Sequence, residues 1–164
     1  MLKFGPHKSL NQKSEPLSEN EFGDFSEQLS QSMLKIMRAF GGVGLAAVQV
    51  GVPKRLIVVD VGDGEIVMIN PIIKSFSEDM KEPEEGCLSF PLQMFKIKRP
   101  AEVTVEFRRV DGSTAEETFF DLSAVAVQHE IDHLDGITVL EKVSRLKKDI
   151  YRRKFKKFRR KIGK

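Results

Sequence analysis

The chain has 164 residues, 40% of them apolar and 31% charged, with one cysteine and three histidines. That length suits one domain with a real core. No apolar run approaches the ~20 residues a bilayer span needs, and a lone cysteine excludes an internal disulfide and fits a reducing compartment. The net charge of +3 is unevenly spread: residues 143–164 carry twelve Lys/Arg and one acid (+11), and residues 1–142 carry fifteen and twenty-three (−8). Only the tail therefore suggests a polyanionic partner.

Residues 1–20 mix prolines and polar residues without periodicity and read as an extended arm. The opening "MLKFGPHKSL" lacks the apolar core of a secretory signal, so the protein is expected in the cytoplasm, away from membranes. Asp24 followed by Glu27 resembles a capping box. Phe25, Leu29, Met33, Ile36, Met37 and Phe40 then recur at helical spacing, and Gly41-Gly42 should stop the helix. "GGVGLAAVQVG" (41–51) reads by itself as a helix-ending turn; it lacks the Lys-Ser/Thr of a phosphate loop.

"RLIVVDV" (55–61) and "EIVMIN" (65–70), split by "GDG", form a hairpin signal. "EVTVEFRR" (102–109) alternates apolar and polar, and Asp111-Gly112 turns it toward a partner strand near 116–120. "DLSAVAVQHEIDHLDG" (121–136) is a helix with Ser123 or Asp121 as cap and Gly136 as stop, apolar enough all round to be buried. "ITVL" (137–140) reads as a last short strand before a tail helix. Strands surround two internal helices without regular alternation, which favours an α+β fold over a doubly wound sheet.

The chemistry sits in "QHEIDH" (128–133). Residues four apart on a helix share a face, so His129 and His133 can offer ring nitrogens to one cation. Glu130, one step round, can reach a metal-associated water without being a ligand. Such a site needs a third protein ligand, and Cys87 in "EEGCLSF" is the soft candidate. Taken alone, a lone cysteine is more often a small buried hydrophobe, but Gly86 lets backbone approach it closely, and a thiolate adds the negative charge that two imidazoles lack.

"GVGLAAVQ", "EGCLS" and "QHEIDH" together resemble, in order and spacing, the three signature motifs of peptide deformylases. The likeness runs along the chain, through Pro6, Leu10, Pro16 and Leu17 of the arm, "RLIVVDV" with "VMINP", and "VSRLKK" at the tail helix. It implies a single catalytic domain over 1–164: short antiparallel or mixed sheets around a central buried helix carrying HExxH, ending in a basic amphipathic helix over 143–164. It further implies a monomer that hydrolyses the N-terminal formyl group from formylmethionine of nascent polypeptides and releases formate. Carried onto matching positions, Cys87, His129 and His133 bind one divalent metal, ferrous iron in the cell; zinc, nickel or cobalt also suit the donor set. Glu130 becomes the general base and acid. Gln49 and the Leu88 N–H form the oxyanion hole, and Val43, Gly44, Leu88, Val125 and Ala126 bind the methionine.

The chain departs from the family pattern in three places. His7 and Asn11 stand where Asp and Arg are usual, so His7 is given no metal role. Phe40-Gly41 stands where some members carry acids, and Leu92-Gln93-Met94-Phe95 has no clear counterpart. Arg99 either braces the metal helix through Asp132 or is a solvated arginine. In the tail, Leu146, Ile150, Tyr151, Phe155, Phe158 and Ile162 lie at helical spacing. That stripe either docks on the body or leaves a basic face free for ribosomal RNA, against the plain alternative of a solvated charge run. From the residues themselves two other classes stay open: another HExxH metallopeptidase, or a non-catalytic ribosome- or RNA-binding protein with a structural metal.

Overall fold

A computed structural model of the chain describes residues 2–162, with the side chain of Ile162 outside the described part. The first helix, α1 (Asp24–Ala39), begins after Gly23, which occupies the cap position with φ 77° and no side chain to bond the first turn. The expected capping box at Asp24 is therefore not formed; Asp24 and Glu27 instead put negative charge in the first turn, where the helix dipole favours it. The buried face is also rotated from the expected one. Met33, Leu34 and Met37 are buried together with Ser26 and Ser30, whereas Phe25 is 42% and Phe40 55% exposed. Small hydroxyls can occupy the packed face because they bond back to Gly23 O (3.1 Å) and Glu27 O (2.9 Å). Gly41, with φ 65°, ends the helix as expected.

The chain then enters strand β1 (Gly44–Ala46), read above as a turn, and a 3-10 turn over Ala47–Val50. β2 (Leu56–Val59) is buried throughout, and its period-two alternation explains why. Ile57 and Val59 face the cluster under the second helix, while Leu56 and Val58 face the cluster under α1. β3 (Ile66–Phe76) runs well past the expected hairpin strand. Pro71 cannot donate to the ladder, and the strand survives it through register shifts at Ile69/Ile72 and Ile73/Ser75. Four two-residue strands follow, β4 (Met80–Lys81) with β7 (Arg99–Pro100) and β5 (Glu84–Glu85) with β6 (Phe95–Lys96).

β8 (Glu102–Arg108) and β9 (Thr114–Phe120) form the expected hairpin and complete an antiparallel sheet of order β1-β2-β3-β8-β9. All three sheets are antiparallel; among the described residues the one parallel pairing is an isolated bridge from Glu15 in the arm to Lys54. Val103, Val105 and Phe107 of β8 face the helix α2 (Asp121–Leu134), which lies across the sheet with nine of its residues buried. Neither Asp121 nor Ser123 caps α2. Asp121 is its first residue, with φ 46°, and the Ser123 hydroxyl bonds back to both the N–H and the carbonyl of Phe120. Gly136 does stop it: φ is 75°, and a Cβ there would lie 2.8 Å from the Asn11 carbonyl oxygen.

"ITVL" is not a strand. Val139 and Leu140 turn into an apolar cluster with Tyr151 and Phe155, without a ladder partner. The last helix, α3 (Arg145–Ile162), docks by part of its stripe: Tyr151 and Phe155 are buried, but Leu146 is 71% and Ile150 48% exposed. Among the described residues, no helix is long and apolar enough to cross a membrane.

Candidate metal centre and active site

Helical spacing puts the two histidine rings of α2 side by side, their centroids 5.1 Å apart. The turn Cys87–Phe90, closed by the Phe90 N–H to the Cys87 carbonyl at 2.9 Å, brings the one thiol against them. Cys87 Sγ is 3.2 Å from His133 Nε2, and one donor atom from each of Cys87, His129 and His133 lies within 4.8 Å of the others. These three could hold a metal ion.

Charge around the cluster is arranged to orient it. Glu85, the last residue of β5, is buried and accepts from His129 Nδ1 at 3.0 Å, so the other ring nitrogen is left for the cluster. The same carboxylate takes Arg99 Nε and Arg99 Nη2 (2.9 Å), and Arg99 Nη1 reaches Asp132 at 2.8 Å. Arg99 is therefore the brace rather than a solvated arginine, and it is itself buried. Burial pushes Glu85 upward, but its bonds to His129 and Arg99 outweigh that and hold its carboxyl below the ordinary range. Burial disfavours charge on His129 as well; the Cys87 sulfur and Glu85 beside it nonetheless raise it well above its usual value. His133, buried and facing His129, is depressed.

Glu130 is packed into the same space. Burial pushes it up to about 7, and its Oε2 has no hydrogen-bond partner among the described residues. Gly44 explains how it fits: a Cβ at that position would lie 2.6 Å from Glu130 Oε1. Gln49 is 1% exposed and held rigidly. Its Oε1 accepts the Ala46 N–H at 2.8 Å, which fixes the amide so that Nε2 points at Ser89 Oγ (3.0 Å) and Cys87 Sγ (3.8 Å).

A groove of about 1140 Å³ opens over the cluster. Val43, Gly44, Leu88, Val125 and Ala126, the residues expected to bind methionine, all line it, as do Cys87, His129 and Glu130. His133 and Gln49 stand behind that lining. His7 reaches the groove wall but not the cluster; its Nδ1 bonds Ser9 Oγ at 2.7 Å. Glu85 and Ser89 were not singled out from sequence. Glu85 carries no local signal: it lies in an acidic stretch, and its burial follows only from Arg99 facing it.

The model of the polypeptide deformylase family matches residues 2–149. The chain belongs to the peptide deformylase family. A peptide deformylase from Agrobacterium fabrum is 43% identical, over 79% of each chain. The crystal structure of a peptide deformylase from Legionella pneumophila matches with a TM-score of 0.93 at 36% identity, covering 100% of this chain and 97% of the other. A Met-Ala-Ser-bound class I type b deformylase from Acinetobacter baumannii matches with a TM-score of 0.83 at 33% identity, covering 87% and 97%. The chain thus shares its fold with solved deformylases over nearly all of its length.

Proposed function

We propose that this chain hydrolyses the formyl group from the N-terminal formylmethionine of nascent polypeptides, with Cys87, His129 and His133 as the ligands of one divalent metal. The observation that carries the reading is the meeting of one thiol and two imidazoles beside a buried carboxylate with a free oxygen. The donor set fits such an ion: a thiolate balances charge that two neutral imidazoles cannot, and Glu85 fixes the orientation of one ring. When bound, the ion acts as a Lewis acid that makes water acidic enough to attack near neutral pH.

The residues supply the rest. Glu130 takes the proton of the attacking water onto its carboxylate and returns it to the leaving amine nitrogen; a pKa of about 7 suits both directions near neutrality. The Gln49 amide, fixed by Ala46, and the N–H of Leu88 donate to the oxygen that becomes negative as the formyl carbon turns tetrahedral. β1 is the edge of its sheet, so the Val43-Gly44 backbone can receive an extended peptide as an added strand. The methionine side chain then lies along Val43, Leu88, Val125 and Ala126, where Ala126 leaves room for a flexible thioether.

The metal we propose in the cell is ferrous iron, and the working form is a cytoplasmic monomer, residues 1–164 acting as one catalytic unit. A zinc-peptidase reading gives Cys87 and Gln49 no role. A structural-metal reading leaves Glu130 buried at a cost with no return. Formate release from formyl-Met-Ala-Ser, abolished by Glu130→Ala and unaccompanied by internal peptide cleavage, is the expected result; unimpaired release by that variant rejects the mechanism.

For the tail, α3 buries Tyr151 and Phe155 against the body and leaves Arg153, Lys157 and Arg160 exposed. That exposed face is proposed to bind ribosomal RNA phosphates. Ribosome co-sedimentation that falls with salt and is lost in Arg153→Glu/Lys157→Glu supports this; co-sedimentation unchanged by those substitutions rejects it.

A further inference from the structure

The groove does not end at the methionine-lining residues. At its rim stand two phenylalanines that neither the metal cluster nor the core uses. Phe4 comes from the N-terminal arm and Phe40 from the end of α1; their rings meet edge to face with centroids 6.3 Å apart, yet they stay 44% and 55% exposed. Both line the same groove as Cys87 and Glu130. An exposed aromatic pair costs solvation, and a mutual contact of two rings recovers only part of it.

The position of Phe4 is set from both sides. The Lys3 N–H donates to the Gln49 carbonyl at 2.7 Å, and the Gly5 N–H donates to the Ser89 carbonyl at 2.6 Å. The arm is thereby laced to the two segments that carry the fixed amide and the thiol. Gly5 cannot be larger, because a Cβ there would lie 2.1 Å from the Phe155 ring, so α3 clamps the same stretch from outside. Between the two rings and Val43 lie Gly41 and Gly42, which add no side chains to the floor. A Cβ at Gly42 would meet Leu88 at 2.7 Å, so the rim is continuous with the methionine site.

We infer that Phe4 and Phe40 form a second, apolar subsite of the groove, which selects substrates with a large apolar or aromatic residue at one of the two positions after the formylmethionine. An extended peptide advances about 3.3 Å per residue, so a chain whose methionine lies on Leu88 brings its next side chains to the rim within one or two steps. An apolar side chain there covers both exposed rings, whereas glycine or a charged residue leaves them wet. The preference expected is about tenfold in kcat/KM, the size that partial burial of one apolar side chain produces, and it falls on KM because the rings touch the substrate away from the reacting carbon.

This inference rests on the deformylase reading, and the experiment separates the two. Formate release is measured with formyl-Met-Gly-Gly and with the same peptide carrying phenylalanine or aspartate at the second or third position. The wild type is expected to favour phenylalanine over glycine at one of these positions by about tenfold and to disfavour aspartate. Phe4→Ala/Phe40→Ala is expected to bring the phenylalanine-to-glycine ratio close to one, through KM. Phe76→Ala, which removes an equally exposed ring from β3 (57%), keeps the wild-type ratio. A wild-type ratio near one at both positions, or a ratio that survives in the double variant, overturns the subsite. Release of no formate from any of these peptides overturns the functional reading instead.

Discussion

Gly44→Ala is the sharpest test of how Glu130 is held. The backbone of Gly44 lies outside the left-handed region, so alanine meets no conformational penalty there. The added methyl does meet Glu130: Oε1 at 2.6 Å, Cγ at 2.9 Å and Cδ at 3.1 Å. Ordinary contact begins near 3.4 Å, so the carboxylate must retreat by about 0.8 Å, the difference between 3.4 and 2.6 Å. It has little room, being 4% exposed with His129 and Ile131 of its own helix also buried. Overpacking of this kind costs about 1–3 kcal/mol of stability, and misplacing a proton-transfer group by about 1 Å costs about a hundredfold in rate. The variant should therefore fold, melt a few degrees lower, and lose about a hundredfold in kcat. A kcat within threefold of wild type, in protein carrying its full metal complement, would refute the close packing of Gly44 on Glu130.

Arg99→Leu strands the Glu85 carboxylate, 4% exposed, with only His129 for company, so chemical denaturation should show a loss of about 3–5 kcal/mol. A loss under 1 kcal/mol would mean the pair is not buried as described. Tyr151→Phe goes the other way: the Tyr151 hydroxyl is buried and has no hydrogen-bond partner among the described residues, so its removal should leave the melting temperature unchanged or raise it. Glu21 is held down at about 2, against an ordinary 4.5, by the Ser18 backbone N–H first and then by Lys54 and the Ser18 hydroxyl. Its carboxyl therefore stabilises the fold above pH 4.5, and that contribution fades as pH falls toward 2, because the unfolded chain takes up the proton first. Melting curves of Glu21→Gln should be flatter than wild type across that window, and parallel curves would reject the assignment.

Much of this architecture is legible in the chain where one local period dominates. The four-residue spacing of His129 and His133 fixes their shared face, and the alternation in 102–109 fixes which side of β8 meets α2. Legibility fails where tertiary packing outvotes a local rule. The β-branched run at 137–140 looks like a strand, but Val139 and Leu140 are consumed by packing against Tyr151. Pro71 suggests the end of a strand, but bulges carry β3 past it. Phe25 looks like a core residue, and it loses its place to two serines able to satisfy themselves on the helix backbone. Long-range meetings have no local signal at all. Cys87 reaches His133 across 46 positions of sequence, and only its likeness to a family motif, set beside two others, links them in advance. Glu85 sits two residues before that cysteine in an acidic, surface-like stretch. Its burial becomes intelligible only once Arg99 is found facing it.

On the proposed reading, one sulfur and two imidazole nitrogens of this chain share a single cation. X-ray absorption on the zinc-loaded protein tests it directly, by counting the donors around the metal. One sulfur at about 2.3 Å and two imidazole nitrogens at about 2.0–2.1 Å are expected, with the sulfur shell lost in Cys87→Ala. A spectrum without sulfur, or one unchanged by that substitution, would contradict the account.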